Sequence, residues 1–197
     1  MLHDPELIRL DLSNLSSTLF ATKWFFDTRP YVFESNEDEY IKWRHIVADG
    51  IEVDPSDILI TGSACLGFSL SPYKNFKRFD EKSDIDLCIF SEYYFNLAWR
   101  ELSSKTMIGL TPKMITSIKE HREKYIYWGT IATDIILPLL SFGPSWERII
   151  PKLSPFKCLE DHEIHFRIYK DRQSFRRYLL QSIEYRKNAI MEDLENE

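Results

Sequence analysis

Cysteine and glycine are scarce in this chain, long apolar runs are missing, and each shortage removes a class of protein. The three cysteines, Cys65, Cys88 and Cys158, are odd in number and show no Cys-x-x-Cys spacing. That excludes a disulfide framework and a thiolate zinc site, and leaves buried, inert thiols as the expectation. Six glycines and nine prolines, without a repeat or a low-complexity tract, exclude fibrous and linker-like chains. No apolar run approaches the ~20 residues of a membrane helix. The opening Met1-Leu2-His3-Asp4-Pro5-Glu6 has neither the basic nor the apolar region of a secretory signal. A cytoplasmic protein with no membrane partner is expected. A net charge of −6 means that the surface as a whole does not attract nucleic acid, so any such contact must be a local patch. The rest is ordinary for a globular protein: 44% hydrophobic, 28% charged and 197 residues, enough for one domain with a proper core.

Two segments stand out. Ile58-Leu59-Ile60-Thr61 is an apolar run that ends in Gly62-Ser63, with Gly67 four residues after the serine. Ser83-Asp84-Ile85-Asp86-Leu87-Cys88-Ile89-Phe90 is a second apolar run carrying two aspartates one residue apart. Side chains alternate across a strand, so Asp84 and Asp86 are expected on one face. Neighbouring carboxylates repel each other and lose hydration unless a cation lies between them, and a hard ion such as Mg²⁺ suits them. If a helical turn follows the first strand, Gly62-Ser63 sits at its N-terminus, where unpaired N–H groups hold phosphate. Lys82 and Ser83 immediately precede the aspartates, and the loop that carries them also contains Lys74, Lys77 and Arg78. This loop is expected to fold over phosphates.

The order strand, Gly-Ser, glycine, then Asp-x-Asp within a strand resembles the DNA polymerase β-like nucleotidyltransferase superfamily, in its minimal, stand-alone bacterial form. The resemblance covers residues 56–90 well and 125–140 loosely. It implies an α/β fold of the α+β kind, with a mixed sheet flanked by helices and a C-terminal helix. It also implies two Mg²⁺ (or Mn²⁺) ions held by Asp84, Asp86 and a third carboxylate on a neighbouring strand. For that third place Asp134 is the candidate, being the only acid between Tyr125 and Ser145; a turn cap beside Thr133 is the alternative. Gly62, Ser63, Lys82 and Ser83 would bind the nucleotide. The implied reaction transfers a nucleoside monophosphate from a triphosphate, ATP foremost, to a hydroxyl of a protein, an RNA end or a small molecule. Relatives of this size serve toxin–antitoxin and phage-defence systems. The competing reading is a catalytically weak nucleotide-binding partner or antitoxin subunit, and an unrelated α/β domain is a third.

The chain reads as one domain over 1–197, with a helical lead-in at 1–50, a core at about 51–140 and a strand–helix extension at 156–197. Residues 5–28 are expected to be helical and then irregular. A helix at 34–49 is capped by Ser35 or Asn36, ends before Gly50 and buries Tyr40, Ile41, Trp43, Ile46 and Val47. Helices follow at about 92–102 and 112–124, then a proline-rich connection at 142–155, a short strand at 165–169 and an amphipathic helix at 174–194. Between His165 and Asn188 lie seven basic residues against Asp171 and Glu184. They form either a wall facing phosphates or a solvated helix face. In Asp161-His162-Glu163-Ile164-His165, the His-x-x-His spacing is not that of a helical zinc pair, so surface or packing histidines are expected there. Ser63 lacks a Gly-x-Ser-x-Gly elbow and is not a nucleophile on this reading.

Overall fold

The computed structural model describes residues 3–74, 76–153 and 155–195. Four strands form one mixed sheet: β1 (Ile58–Thr61), β2 (Ile85–Phe90), β3 (Thr130–Ala132) and β4 (Ile164–Tyr169), in the spatial order β1-β2-β4-β3. β1 is antiparallel to β2, β2 is parallel to β4, and β3 is antiparallel to β4. The mixed α+β class expected from the sequence is observed. One placement differs. The strand assigned to a C-terminal extension lies in the middle of the sheet, so the core cannot close at residue 140. In β4, Phe166, Ile168 and Tyr169 are buried while His165 and Arg167 are only partly covered. The two polar residues lower the strand's apparent hydropathy and hide its central position.

Helices α1 (Pro5–Asn14) and α2 (Ser17–Ala21) precede a π-helical turn at Thr22–Asp27, so residues 5–27 are helical almost throughout. Helix α3 (Glu37–Ile51) starts at Asn36, whose side chain accepts the Glu39 N–H at 3.1 Å, a cap worth about 1 kcal/mol. It runs through Gly50 and stops at Glu52 in the left-handed region (φ 57°). Gly50 therefore does not end the helix. A Cβ there would stand 2.5 Å from Ile149 Cγ1, so the glycine serves close packing. Tyr40, Trp43, Val47, Ala48 and Ile51 make the buried stripe, whereas Ile41 is exposed.

Helix α4 (Gly62–Leu66) joins β1 to the loop before β2. Helix α5 (Glu92–Ser104) follows β2, and α6 (Pro112–Glu120) continues as a π-helical turn, His121–Tyr125, into β3. The proline-rich connection contains two short helices, α7 (Gly143–Glu147) and α8 (Ile150–Leu153), and the long helix α9 (Arg172–Glu195) follows β4. Among the described residues, no helix is long and apolar enough to cross a membrane.

Alternation divides the sheet. Leu87, Phe166 and Ile168 face α5 and α7, where Trp146 meets the Phe166 ring at 5.4 Å. Phe90 and Tyr169 face α9 and meet Phe175 at 5.6 and 4.9 Å. Buried aromatics of this kind supply much of the core energy. Phe90 and Tyr169, Cys88 and Arg167, and Asp86 and His165 are successive register pairs on the α9 face. That face thus turns from aromatic to ionisable toward the start of β2, and the candidate site lies at that end.

Candidate functional site

The β1–α4 turn is shaped around Asp86. Thr61 and His165 are the register partners of Asp86 on either side. Gly62 opens α4 with φ +68°, and a Cβ at this position would come within 3.2 Å of Asp86 Oδ2. A positive φ and a carboxylate at contact distance together require glycine. Gly67, φ +85°, ends α4 by donating its N–H to Ser63 O at 2.8 Å, and its missing Cβ makes room for the Tyr31 ring. The spacing of Gly62, Ser63 and Gly67 is that of a one-turn helix stopped at both ends by glycine geometry.

Asp84 and Asp86 differ in setting. β2 begins at Ile85, so Asp84 precedes the strand and is exposed, while Asp86 is half-buried. Burial holds the Asp86 carboxyl above the usual carboxylate range; Asp134 and Asp84 push the same way, and Arg167 and His165 pull against them. Arg167 is the counter-charge. Burial works against its cationic form, but Tyr169, Tyr178, Asp86 and Asp134 more than offset that and hold it above its ordinary value. Arg167 Nη1 donates to the Tyr178 hydroxyl of α9 at 3.0 Å.

Asp134 is not on a strand beside β2, because β4 lies between them. It follows β3, which ends as the Thr133 hydroxyl donates to Phe166 O at 2.6 Å. The Asp134 carboxylate is 3.5 Å from His165 Nδ1, and His165 Nε2 is 3.5 Å from Glu163 Oε2. The ligand atoms of Asp84, Glu163 and His165 all lie within 4.8 Å of one another. The three aspartates expected to converge do not form that group: Asp86 turns toward Gly62, and Asp134 stands behind the imidazole.

From the sequence, the histidines at 161–165 are expected at the surface or in packing and Arg167 only as one of the seven basic residues at 165–188, so none of them is expected beside Asp84 and Asp86. The signal was present in Glu163-Ile164-His165-Phe166-Arg167, which has the same period-two polarity as Asp84-Ile85-Asp86. The His-x-x-His spacing does not reveal it, because that spacing speaks to ligands on a helix whereas His165 lies on a strand.

Lys82 and Ser83 belong to a loop held in place by its own contacts. Phe68 bridges Arg78, Ser69 N–H donates to Lys77 O, and Phe79 N–H donates to Gly67 O. Asp80 accepts from Lys77 Nζ, Ser83 Oγ and Lys82 N–H, and the bonds from Lys77 and Ser83 hold its carboxyl below the usual range against the opposing effect of desolvation. A polar hollow of about 60 Å³ opens between this loop and the aspartates, with Lys74, Lys77, Arg78 and Lys82 along one side and Ser63 and Ser69 on another. Adjoining it, a cleft of about 390 Å³ runs from Ser63 and Asp86 past Arg167 to Phe25, Tyr178 and Ser182.

The basic stretch 165–188 does not form a phosphate-facing wall. Arg172 binds Ser56 O and Asp57, Arg176 binds Thr22 Oγ1, Lys187 binds Leu15 O, and the buried Arg186 donates to Leu70 O and Ser71 O. These cations fasten α9 to the rest of the molecule, and Arg167 is the one that lines the cleft. The cysteines are free, with Cys65 and Cys88 buried and the Cys65 thiol pushed up to about 12 by burial. Comparison with protein-family models, curated proteins and solved structures gives no match.

Proposed function

We propose that this chain is a metal-dependent nucleotidyltransferase of polymerase β-like fold, moving a nucleoside monophosphate from a triphosphate to an acceptor hydroxyl. The observation that carries this reading is the contact between the Gly62 turn and Asp86, with four cationic side chains on its flank. Lys74, Lys77, Arg78 and Lys82 present positive charge to the outer phosphates, and the Ser63 and Ser69 hydroxyls add hydrogen bonds. The aromatic-lined cleft beyond Asp86 has the volume of a small-ligand pocket and takes the nucleoside. A divalent cation held from Asp84 would neutralise charge on the phosphates when bound.

Asp86 stands between the two hollows, where the reacting groups meet. The acceptor oxygen bonds to the α-phosphorus, the bond from that phosphorus to the bridging oxygen breaks, and pyrophosphate leaves with the bond pair. The hydroxyl proton passes to an Asp86 carboxylate oxygen, whose burial favours the protonated form. A hollow of about 430 Å³ beside His165 is lined by Asp134, Glu147 and Glu163. Its negative charge disfavours an RNA backbone as acceptor and favours a neutral or cationic small molecule or a protein side chain.

Arg167 and His165 support the second reading, a nucleotide-binding module with little catalysis. Where the resemblance implies a third carboxylate beside Asp86, the neighbouring strand offers an imidazole and a guanidinium. Incubation with each α-³²P-labelled triphosphate, divalent metal and candidate acceptors separates the two. Label transferred by the unmodified protein and not by Asp86→Asn supports the enzyme. Nucleotide binding without transfer supports the module.

A further inference from the structure

β2 and β4 remain paired below their ladder: Ile85 N–H donates to Glu163 O at 2.8 Å, which sets Asp84 beside Glu163 just as Asp86 is set beside His165. All four side chains project from the same face of the sheet. Asp86 is drawn off toward Gly62 and Arg167. The other three are left together, with ligand atoms within 4.8 Å of one another. The 3.5 Å between His165 Nε2 and Glu163 Oε2 is too long for a hydrogen bond. It lies just outside the separation of two donors on one ion at bonds of about 2.1 Å, roughly 3.0–3.4 Å, so a small inward shift of either side chain would let both bind one ion. The far ring nitrogen, Nδ1, faces Asp134, the arrangement by which an outer carboxylate fixes the tautomer and orientation of a ligating imidazole. Among the described residues, no ion pair joins a lysine or arginine to Asp84, Glu163 or Asp134; Arg167 acts on Asp134 through the field between them.

We propose that Asp84, Glu163 and His165 bind one borderline divalent cation such as Mn²⁺, with Asp134 positioning His165 through Nδ1. One imidazole with two carboxylates selects against Mg²⁺, which prefers an all-oxygen shell, and for a metal that accepts nitrogen. This assignment deepens the transferase reading and rests on it for any catalytic meaning, but binding itself does not depend on that reading.

Metal-free protein titrated with Mn²⁺, followed by the loss of the free-ion electron paramagnetic resonance signal, tests it without nucleotide. One site is expected, with affinity for Mn²⁺ at least tenfold above that for Mg²⁺. His165→Ala and Glu163→Gln should each weaken Mn²⁺ binding at least tenfold, and Asp134→Asn roughly tenfold through ring orientation. Lys42→Ala, exposed on α3, should leave it unchanged. Pulsed resonance of bound Mn²⁺ in the unmodified protein should show coupling to an imidazole nitrogen. Absence of that coupling, or equal Mn²⁺ affinity in His165→Ala and the unmodified chain, overturns the site. Mn²⁺ affinity unchanged in His165→Ala, together with label transfer by the unmodified protein, would remove this site and keep the transferase. His165-dependent Mn²⁺ binding without transfer from any triphosphate would keep the site and remove the transferase.

Discussion

Gly62, the first residue after β1, faces Asp86 of the adjacent strand β2 so closely that a Cβ on the glycine would stand 3.2 Å from Asp86 Oδ2. Gly62→Ala therefore carries two penalties, a left-handed backbone conformation that costs about 1–2 kcal/mol and a displaced carboxylate. A loss of roughly 2–6 °C in melting temperature is expected. Gly67→Ala is the comparison. It shares the strain and crowds Tyr31 instead, so a loss of nucleotide binding confined to Gly62→Ala would show that the contact with Asp86 matters. Equal loss in both would show a purely conformational effect.

Asp86→Asn should raise stability while abolishing transfer. With its carboxyl held above the usual range by burial and by Asp134 and Asp84, ionised Asp86 opposes folding at neutral pH, and that cost is absent at pH below the ordinary carboxylate value. Removing the charge without added metal should raise the melting temperature by a few degrees at pH 7 and leave it unchanged near pH 3. A large drop at pH 7 would instead make Asp86 a structural partner of Arg167.

His121 gives a pH dependence of the opposite kind. It is buried; Nδ1–H donates to Ser117 O at 2.6 Å, and Nε2 accepts the Ala132 N–H of β3 at 3.0 Å. Burial lowers its pKa below the ordinary 6.5, so the unfolded chain takes up the proton first as pH falls. The stabilisation is fully present above about 6.5 and is lost below it, by up to about 1.4 kcal/mol per pH unit. His3 is lowered by burial as well and adds to the slope. His121→Leu should reduce the slope of stability against pH between 6.5 and 5 and lower stability at pH 7 by about 1–3 kcal/mol, because the Ala132 N–H loses its partner. An unchanged slope in urea titrations would assign the acid loss to His3.

Arg186→Met should loosen the loop between α4 and β2 from a distance. The guanidinium bonds Leu70 O and Ser71 O and covers the Phe76 ring at 4.3 Å. Its loss is expected to cost about 2–4 kcal/mol and to raise hydrogen exchange across residues 68–82. Arg186→Lys should not restore protection, since one ammonium does not reproduce the planar fork. Exchange confined to α9 would place the role of Arg186 within its own helix.

The strands before residue 90 could be read from sequence because each of their signals is local. Ile58 to Thr61 and Ile85 to Phe90 are apolar runs bounded by turn residues, and Asn36 marks α3 by its position alone. The strand at 165–169 was legible, but its place beside β2 was not. His165 and Arg167 owe their polarity to the site they face, and a strand is recognised by what it buries. Gly50 misled for a related reason, since its missing side chain answers Ile149, ninety-nine positions away. The basic residues of α9 likewise read as a charged face, although Arg172, Arg176, Arg186 and Lys187 bond backbone oxygens, a hydroxyl and the Asp57 carboxylate on the first seventy-one residues.

β4 enters between β2 and β3 only after both have been synthesised. Until residue 169 has left the ribosome, β2 has a neighbour on one side only, and β3, three residues long, has none. Parallel pairing across so long a loop is a slow, entropy-limited step. The strand that completes the sheet also brings Glu163, His165 and Arg167 to Asp84 and Asp86. A nascent chain therefore acquires its ionisable centre at the same moment as its fold.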